Sequence, residues 1–154
     1  MTSIADISIL ALKGQGIRGI IFDVDNTLTS HHATVLHPRV AEAFAVICSQ
    51  FNSVIYSNCE PDRHEQLRRM FSIPIIEPGL KKPKAEGFAR AQQLLNLPAH
   101  QIAMIGDRVM TDIFGGNRVG FYTILVDPLD TQEPKVLTWI RNVEKWRLKL
   151  AGFR

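Results

Sequence analysis

Acidic, hydroxyl and lysine side chains recur at four places in this sequence of 154 residues. They are Asp23-Val24-Asp25-Asn26-Thr27, Ser57-Asn58, Lys81-Lys82-Pro83 and Gly106-Asp107, the last followed by Asp112. If the four carboxylates met, each pair at 4 Å would repel by roughly 4 kcal/mol at an effective dielectric constant near 20. Such a cluster needs a cation. Ligation by oxygen alone, without a His or Cys cluster, favours Mg²⁺ over zinc.

A hard cation beside a hydroxyl group and a lysine is typical of a site for a phosphoryl group. Alternate side chains of an extended segment point the same way, so Asp23 and Asp25 could flank one substrate. One carboxylate could attack phosphorus as a nucleophile while the other handles the proton of the leaving group. The residue types therefore predict phosphoryl-transfer chemistry, provided that the four places come together.

Alternating apolar and amphipathic runs predict the elements that would bring these places together. Strands are predicted at 17–22, 53–56, 73–76, 102–105 and 121–126. Helices are predicted at 38–51, 61–71, 84–96, 108–114 (stopped by Gly115-Gly116) and about 134–152. Most of the strands lack strict polar alternation, as expected when helices cover both faces. The order predicts an α/β fold with a doubly wound, mostly parallel open sheet.

Ligands of such sheets bind outside the carboxyl ends of the strands. Each of the four polar groups follows a predicted strand, and loops that start at neighbouring strand ends converge on one rim. The fold class therefore predicts that the acids, the hydroxyl group and the lysine meet there.

In order and spacing, the four groups resemble the motifs of the haloacid dehalogenase (HAD) superfamily of phosphohydrolases. Asp23, Ser57, Lys82 and Asp107 are successively 34, 25 and 25 positions apart, and the resemblance covers residues 18–126. A closer resemblance is to the YqeG-like branch of HAD subfamily IIIA, which includes enzymes that dephosphorylate phosphatidylglycerophosphate. It is carried by Gly19-Ile20-Ile21-Phe22-Asp23, Lys82-Pro83 with Gly87-Phe88, and Gly106-Asp107 through Thr111-Asp112 to Gly115-Gly116-Asn117-Arg118.

The resemblance implies a role for each motif residue in catalysis. Asp23 resembles the nucleophile that forms an aspartyl-phosphate, and Asp25 matches the general acid/base. Ser57, the backbone near Asn58, and Lys82 would bind the phosphate. The resemblance favours Lys82 over the neighbouring lysine at 81, because the motif lysine stands immediately before proline.

The resemblance also implies the metal ligands and their supports. Mg²⁺ would be held by Asp23, the carbonyl of Asp25 and Asp107. Thr27 would support the first loop by hydrogen bonding. Asp112 would reach the metal through water or pair with the motif lysine.

A large cap domain is not expected, because Thr27 and His37 are only ten positions apart and no inserted domain fits between Ser57 and Lys82. The resemblance therefore implies an open active site. An open site suits a phosphate at the end of something large, or one at a surface.

Composition predicts a single domain over residues 1–154. Charged residues make up 21% and aromatic residues 8%, which excludes a disordered chain, a collagen-like repeat and a coiled coil. The net charge of +3 permits an anionic partner without demanding one, and it does not favour nucleic acid. Two cysteines cannot form a multi-disulfide framework or a four-Cys zinc site, so a cytoplasmic location is predicted.

The predicted C-terminal helix suggests a surface for peripheral membrane contact. Its apolar stripe is Trp139, Val143, Trp146, Leu150 and Phe153, with basic residues Arg141, Lys145, Arg147, Lys149 and Arg154 around it. This composition is typical of a helix that lies in the interface of an anionic bilayer. The alternative is that the stripe covers the sheet. No run approaches the roughly 20 apolar residues of a transmembrane segment.

Two other functions use similar residues. A receiver-like phosphoacceptor domain would carry its acidic pair after the first strand and its nucleophilic aspartate after a later one, the reverse of the order here. A non-catalytic phosphate-binding scaffold would not need the complete set of motif residues. For a phosphatase, a nucleic-acid end phosphate and a small phosphometabolite remain alternative substrates to phosphatidylglycerophosphate.

Overall fold

Four parallel strands form the central sheet of the computed structural model, which describes residues 3–130. The strands are β1 (Gly19–Phe22), β2 (Asn52–Ile55), β3 (Ile102–Gly106) and β4 (Tyr122–Leu125), in the order β2-β1-β3-β4. Every neighbouring pair is parallel. The predicted helix at 134–152 lies outside the described residues.

Helices precede β1 and connect the successive strands. They are α1 (Ile9–Gly14), α2 (Pro38–Gln50), α3 (Pro61–Met70), α4 (Ala85–Leu95) and α5 (Phe114–Arg118), with short 3₁₀ helices at Ile4–Asp6 and Ala99–Gln101 and a π-helix at Val109–Ile113. Proline occupies the first turn of α2 and of α3, where its missing N–H costs no hydrogen bond. The sequence predicted no helix before residue 38, so α1 and the first 3₁₀ helix are elements that the prediction missed.

Apolar clusters cover both faces of the sheet, as a doubly wound fold requires. Ile20 and Phe22 of β1 belong to one cluster, together with Ile105 of β3. Ile21 and Met104 belong to the other. Successive side chains of a strand point to opposite faces, so both faces of β1 and β3 are buried by helices. The predicted α/β class with a mostly parallel open sheet is confirmed.

The predicted third strand, 73–76, is wrong. This segment makes a single isolated bridge, in which Ile75 pairs with Ile55 at the outer edge of β2. Ile55 donates to the carbonyl of Pro74 at 2.8 Å and accepts from Ile76 at 2.9 Å. Because Pro74 has no N–H group to donate, the ladder does not extend into a strand.

The predicted stop at Gly115-Gly116 is also wrong, since α5 continues through both glycines to Arg118. Both are buried, and a Cβ atom at either would collide with a neighbour. At Gly115 it would overlap the Phe88 ring, and at Gly116 it would lie 2.8 Å from Cγ2 of Thr123. These glycines therefore permit close packing of α5 rather than ending a helix.

The connection from β1 to α2 contains no helix or strand, so no cap domain is inserted there. No second domain is inserted between β2 and β3 either, since α3, α4 and a 3₁₀ turn are the only helices between them. In the described part of the chain, no helix has the length and apolar character needed to cross a bilayer.

Candidate active site

The register of the sheet aligns the carboxyl ends of β1, β2 and β3, and several candidate residues follow these ends. Phe22, the last residue of β1, pairs with Ile55 of β2 and with Ile105 of β3. The carboxyl ends of the three strands therefore lie side by side, and the loops at this edge of the sheet line one cavity of about 90 Å³. Its lining consists of Asp23, Asp25, Asn26, His31, Ser57, Asn58, Lys82, Asp107, Arg108 and Thr111.

A buried lysine bridges two carboxylates at this cavity. Nζ of Lys82 lies 2.6 Å from Oδ1 of Asp23 and 2.6 Å from Oδ1 of Asp112. Burial alone would lower the pKa of Lys82, but the negative charges of Asp112 and Asp23 outweigh burial and raise it above the usual value. The side chain therefore stays a cation next to Asp23.

Neighbouring side chains hold Lys82 in this position. The amide of Asn58 donates to the backbone carbonyl of Lys82 at 2.9 Å and accepts from its backbone N–H at 2.7 Å. Nζ lies 5.4 Å from the centre of the Tyr56 ring, within range of a cation–π contact. Tyr56 fits there because Gly87 has no Cβ to overlap its hydroxyl group. Lys81, in contrast, is exposed and pairs with Glu60.

Thr27 lies between two of the carboxylates. Its hydroxyl group is 3.4 Å from Oδ2 of Asp23 and 3.5 Å from Oδ1 of Asp107. Thr27 is fully buried, so this hydroxyl group is in a position to steady both carboxylates rather than to contact solvent.

Three buried acids could hold a metal ion. Asp23, Asp107 and Asp112 each offer a carboxylate oxygen, and these oxygens lie within 4.8 Å of one another. At that separation two unit charges repel by about 3.5 kcal/mol at an effective dielectric constant near 20. Lys82 is a single positive charge against three negative ones, so a divalent cation fits the remaining charge, and oxygen-only ligands suit a hard cation.

Asp112 has both carboxylate oxygens engaged by protein donors. Oδ1 accepts from Lys82, and Oδ2 accepts from the backbone N–H of Arg108 at 3.0 Å. Burial raises the pKa of Asp112 to about 6, against the opposing effect of the lysine charge. A Cβ atom at residue 106 would overlap this carboxyl group, so Gly106 is needed for Asp112 to reach the cluster.

Asp25 is held by an arginine that the sequence reasoning missed. Nη2 of Arg63, on α3, lies 2.8 Å from Oδ1 of Asp25, and the Arg63 side chain is 7% exposed. The available signal was the position of Arg63 one turn before Leu67, on the buried face of α3. A charged residue on an apolar helix face indicates a buried ion pair.

Four further cavity residues stand outside the predicted set: Asn26, His31, Arg108 and Thr111. Arg108 lies next to Asp107 in sequence and is half-buried. Within residues 3–130, its guanidinium group makes no hydrogen bond or ion pair, unlike Lys82 and Arg63. His31 is exposed at the cavity and contacts His32, with ring centres 4.0 Å apart and ring planes inclined by 57°. Ser57, for which phosphate binding is a prediction, also lines the cavity.

Two curated proteins are similar to most of this chain. Phosphatidylglycerophosphate phosphatase 1, chloroplastic, from Chlamydomonas reinhardtii is 37% identical over 155 residues, covering 93% of this chain and 57% of that protein. Probable phosphatase YqeG from Bacillus subtilis (strain 168) is 34% identical over 135 residues, covering 87% of this chain and 78% of that protein. The chain thus spans a little more than half the length of the algal relative.

A solved structure and a family model agree with these relatives. A haloacid dehalogenase-like family hydrolase from Xanthomonas campestris superposes with a TM-score of 0.53 at 12% identity, covering 86% of this chain and 95% of that one. The likeness shows a HAD-like fold. The family model described as "Mitochondrial PGP phosphatase" matches residues 1–130. This chain therefore belongs to the Mitochondrial PGP phosphatase family.

Proposed function

We propose that this protein is a Mg²⁺-dependent phosphomonoester hydrolase that works through an aspartyl-phosphate intermediate. The observation that carries the proposal is the buried ammonium group of Lys82, 2.6 Å from Asp23 and 2.6 Å from Asp112 at the cavity. A fixed cation beside a carboxylate can hold a phosphoryl group against its nucleophile. The relatives named as phosphatases support the same activity.

The proposed reaction has two displacement steps at phosphorus. A carboxylate oxygen of Asp23 attacks phosphorus, the bond to the ester oxygen breaks, and Asp25 gives its proton to the departing alkoxide. Water then attacks the phosphorus of the aspartyl-phosphate while Asp25 takes a proton from that water. Inorganic phosphate leaves and the Asp23 carboxylate is restored.

Three groups would hold the transferred phosphoryl group. The ammonium group of Lys82 would neutralise one of its oxygens, and the hydroxyl group of Ser57 would donate to another. Asn58 would contribute its backbone N–H, since its side-chain amide is used on the backbone of Lys82. The lysine would then exchange part of its interaction with Asp23 for one with the substrate.

The donor set at the cavity fits Mg²⁺. Asp23, Asp107 and the carbonyl of Asp25 would hold it, with Asp112 acting through water or through Lys82. The ion would offset the negative charge of the phosphoryl oxygens and let a carboxylate approach them. This assignment rests on the carboxylate cluster and on the preference of Mg²⁺ for oxygen ligands.

Phosphatidylglycerophosphate is the proposed substrate. One relative carries this substrate in its name, and so does the family model in abbreviated form. Arg108 supports the same choice, because it adds a cation at the cavity that forms no ion pair within the described residues. A lipid phosphate ester with a second, diester phosphate offers an additional anionic group for it. A nucleic-acid end phosphate and a small phosphometabolite are the alternatives to test.

Peripheral contact with an anionic membrane through residues 134–152 is part of this proposal. It rests on the aromatic and basic composition of that segment, since the segment lies outside the described residues. The single domain over 1–154 and the cytoplasmic location likewise stay predictions from composition.

Turnover assays separate this function from its rivals. With p-nitrophenyl phosphate and Mg²⁺, a phosphatase gives many turnovers, a receiver-like domain roughly a single turnover from a phosphodonor, and a scaffold none. A panel containing phosphatidylglycerophosphate in mixed micelles, an oligonucleotide 5′-phosphate and small phosphate esters then identifies the substrate. Absence of multiple turnover on every member of the panel, with a folded protein and Mg²⁺ present, would overturn the proposal.

A further inference from the structure

The two oxygens of the Asp25 carboxyl group have different surroundings. Oδ1 accepts from Nη2 of Arg63 at 2.8 Å and from the backbone N–H of His32 at 3.1 Å. In the described range of 3–130, no hydrogen bond reaches Oδ2. A carboxyl oxygen that already accepts two hydrogen bonds is a poor place for a proton, so Oδ2 is the oxygen suited to carry it.

The same guanidinium group also fixes the loop that carries Asp25. Nη2 of Arg63 donates to the carbonyl of Ala33 at 2.9 Å and lies 3.5 Å from the hydroxyl group of Thr29. Nη1 contacts the side chain of Gln66 on the same helix. A planar guanidinium group held at both terminal nitrogens sets the direction of the carboxylate as well as its distance.

Burial of this pair needs an explanation other than stability. The side chains of Arg63 and Asp25 are 7% and 19% exposed. Burying two charges costs desolvation energy that their attraction often fails to recover, so a well-packed apolar pair would serve stability as well. The contact does fix the orientation of a carboxyl group at the cavity.

We propose that Arg63 is a positioning residue that orients Asp25 so that Oδ2 delivers the proton to the departing ester oxygen. The inference rests on the proposed function. As the bond between Asp23 and phosphorus forms, the bond from phosphorus to the ester oxygen breaks and the proton moves from Oδ2 to that oxygen. The carboxylate that remains on Asp25 then accepts a proton from the attacking water.

Two aryl esters test this assignment, because they differ mainly in how much the leaving group needs a proton. p-Nitrophenolate leaves without protonation, whereas the more basic phenolate of phenyl phosphate requires it. The kcat/KM value includes only the steps up to release of the alcohol. Its ratio between the two esters therefore reports proton delivery and is insensitive to a general loss of folded protein.

We expect Arg63→Gln to lower kcat/KM for phenyl phosphate about tenfold more than for p-nitrophenyl phosphate. Asp25→Asn is expected to show the same selectivity, more strongly. Arg63→Lys keeps the charge and replaces the glutamine variant in the test if that variant does not fold. Its kcat/KM for phenyl phosphate should fall about threefold to tenfold more than that for p-nitrophenyl phosphate. Arg69→Gln is the matched control, since Arg69 lies on the same helix but is exposed, and its one ion pair among residues 3–130 is with Glu65. It is expected to leave the ratio unchanged.

The outcomes distinguish the inference from the function on which it rests. If both Arg63 variants lower the two kcat/KM values equally while Asp25→Asn is selective, Arg63 is structural and the inference is wrong. If Asp25→Asn is also unselective, the acid role of Asp25 is wrong, and the inference is lost with it. A selective loss in Asp25→Asn and in the Arg63 variants, with none in Arg69→Gln, supports the assignment.

Discussion

The ammonium group of Lys82 lies 2.6 Å from Oδ1 of Asp112, and both side chains are almost completely removed from solvent, at 2% and 0% exposure. The pair joins two distant parts of the chain, since Lys82 follows the edge segment next to β2 and Asp112 lies in the π-helix after β3. It also sets the position of the charge that faces Asp23. Both the stability of the fold and the activity should therefore depend on this lysine.

Replacing Lys82 with Met should destabilise the fold and abolish turnover. The change leaves Asp23 and Asp112 buried without their cation, which typically costs about 3 to 5 kcal/mol. Urea unfolding in the presence of EDTA measures the free-energy change without a contribution from metal. Lys81→Met is the control, because Lys81 is exposed and its pair with Glu60 should be worth less than about 1 kcal/mol. Equal losses in the two variants would contradict the assignment of Lys82 to the site.

The Asp23→Asn variant should fold and lose detectable turnover. Uncatalysed hydrolysis of phosphate monoesters is so slow that enzymes accelerate it by up to about 10²¹-fold, so without its nucleophile the enzyme has no comparable route. Steady-state assays on p-nitrophenyl phosphate measure the loss, and circular dichroism checks the fold. Sustained multiple turnover by the pure variant would exclude a covalent intermediate on Asp23.

Metal affinity should fall more in Asp107→Ala than in Asp112→Ala. Both oxygens of Asp112 already accept hydrogen bonds from Lys82 and Arg108, whereas Asp107 is proposed as a direct ligand. Titrating activity with Mg²⁺ gives the apparent affinity of each variant. Ca²⁺ should inhibit the wild type, because its longer and looser coordination disturbs the in-line geometry. Full activity in excess EDTA would rule out the metal requirement.

Adding a methyl group at residue 106 should impair the site. In Gly106→Ala the new Cβ would overlap the Asp112 carboxyl group, so Asp112 must move away from Lys82. We expect reduced turnover and a destabilisation of about 1 to 3 kcal/mol, typical of overpacking. Gly14→Ala offers a matched control, since nothing lies within 4 Å of a Cβ at that position. The idea fails if the two variants behave alike.

Binding to anionic vesicles tests the proposed membrane contact of residues 134–152. The protein should sediment with anionic liposomes at low salt and be released at high salt, since each basic residue near the surface contributes about 1 kcal/mol. Replacing Trp139 and Trp146 with Ala together should weaken binding without affecting p-nitrophenyl phosphate turnover. Equal and negligible binding to anionic and neutral vesicles would remove the membrane contact from the proposal.

Strand–loop order was readable from the sequence because parallel strands buried on both faces leave continuous apolar runs. The acids after β1 and β3 could therefore be assigned to one rim before any contact was known. Two predictions from local sequence were wrong: the strand that contains Pro74 and the helix end at Gly115-Gly116. A missing N–H group stopped strand pairing at the first, and close packing against Phe88 and Thr123 required glycine at the second.

By itself, the sequence determined the α/β class, the motif residues and the chemistry that their types allow. Tertiary structure alone decided which charges meet, because side chains far apart in sequence must share one low-dielectric volume before they interact strongly. It placed Nη2 of Arg63 2.8 Å from Asp25, and it set Lys82, the lysine that the resemblance already favoured, 2.6 Å from both Asp23 and Asp112. Periodicity locates a residue on a helix face, whereas the packing of that helix against the loop after β1 decides what the residue touches.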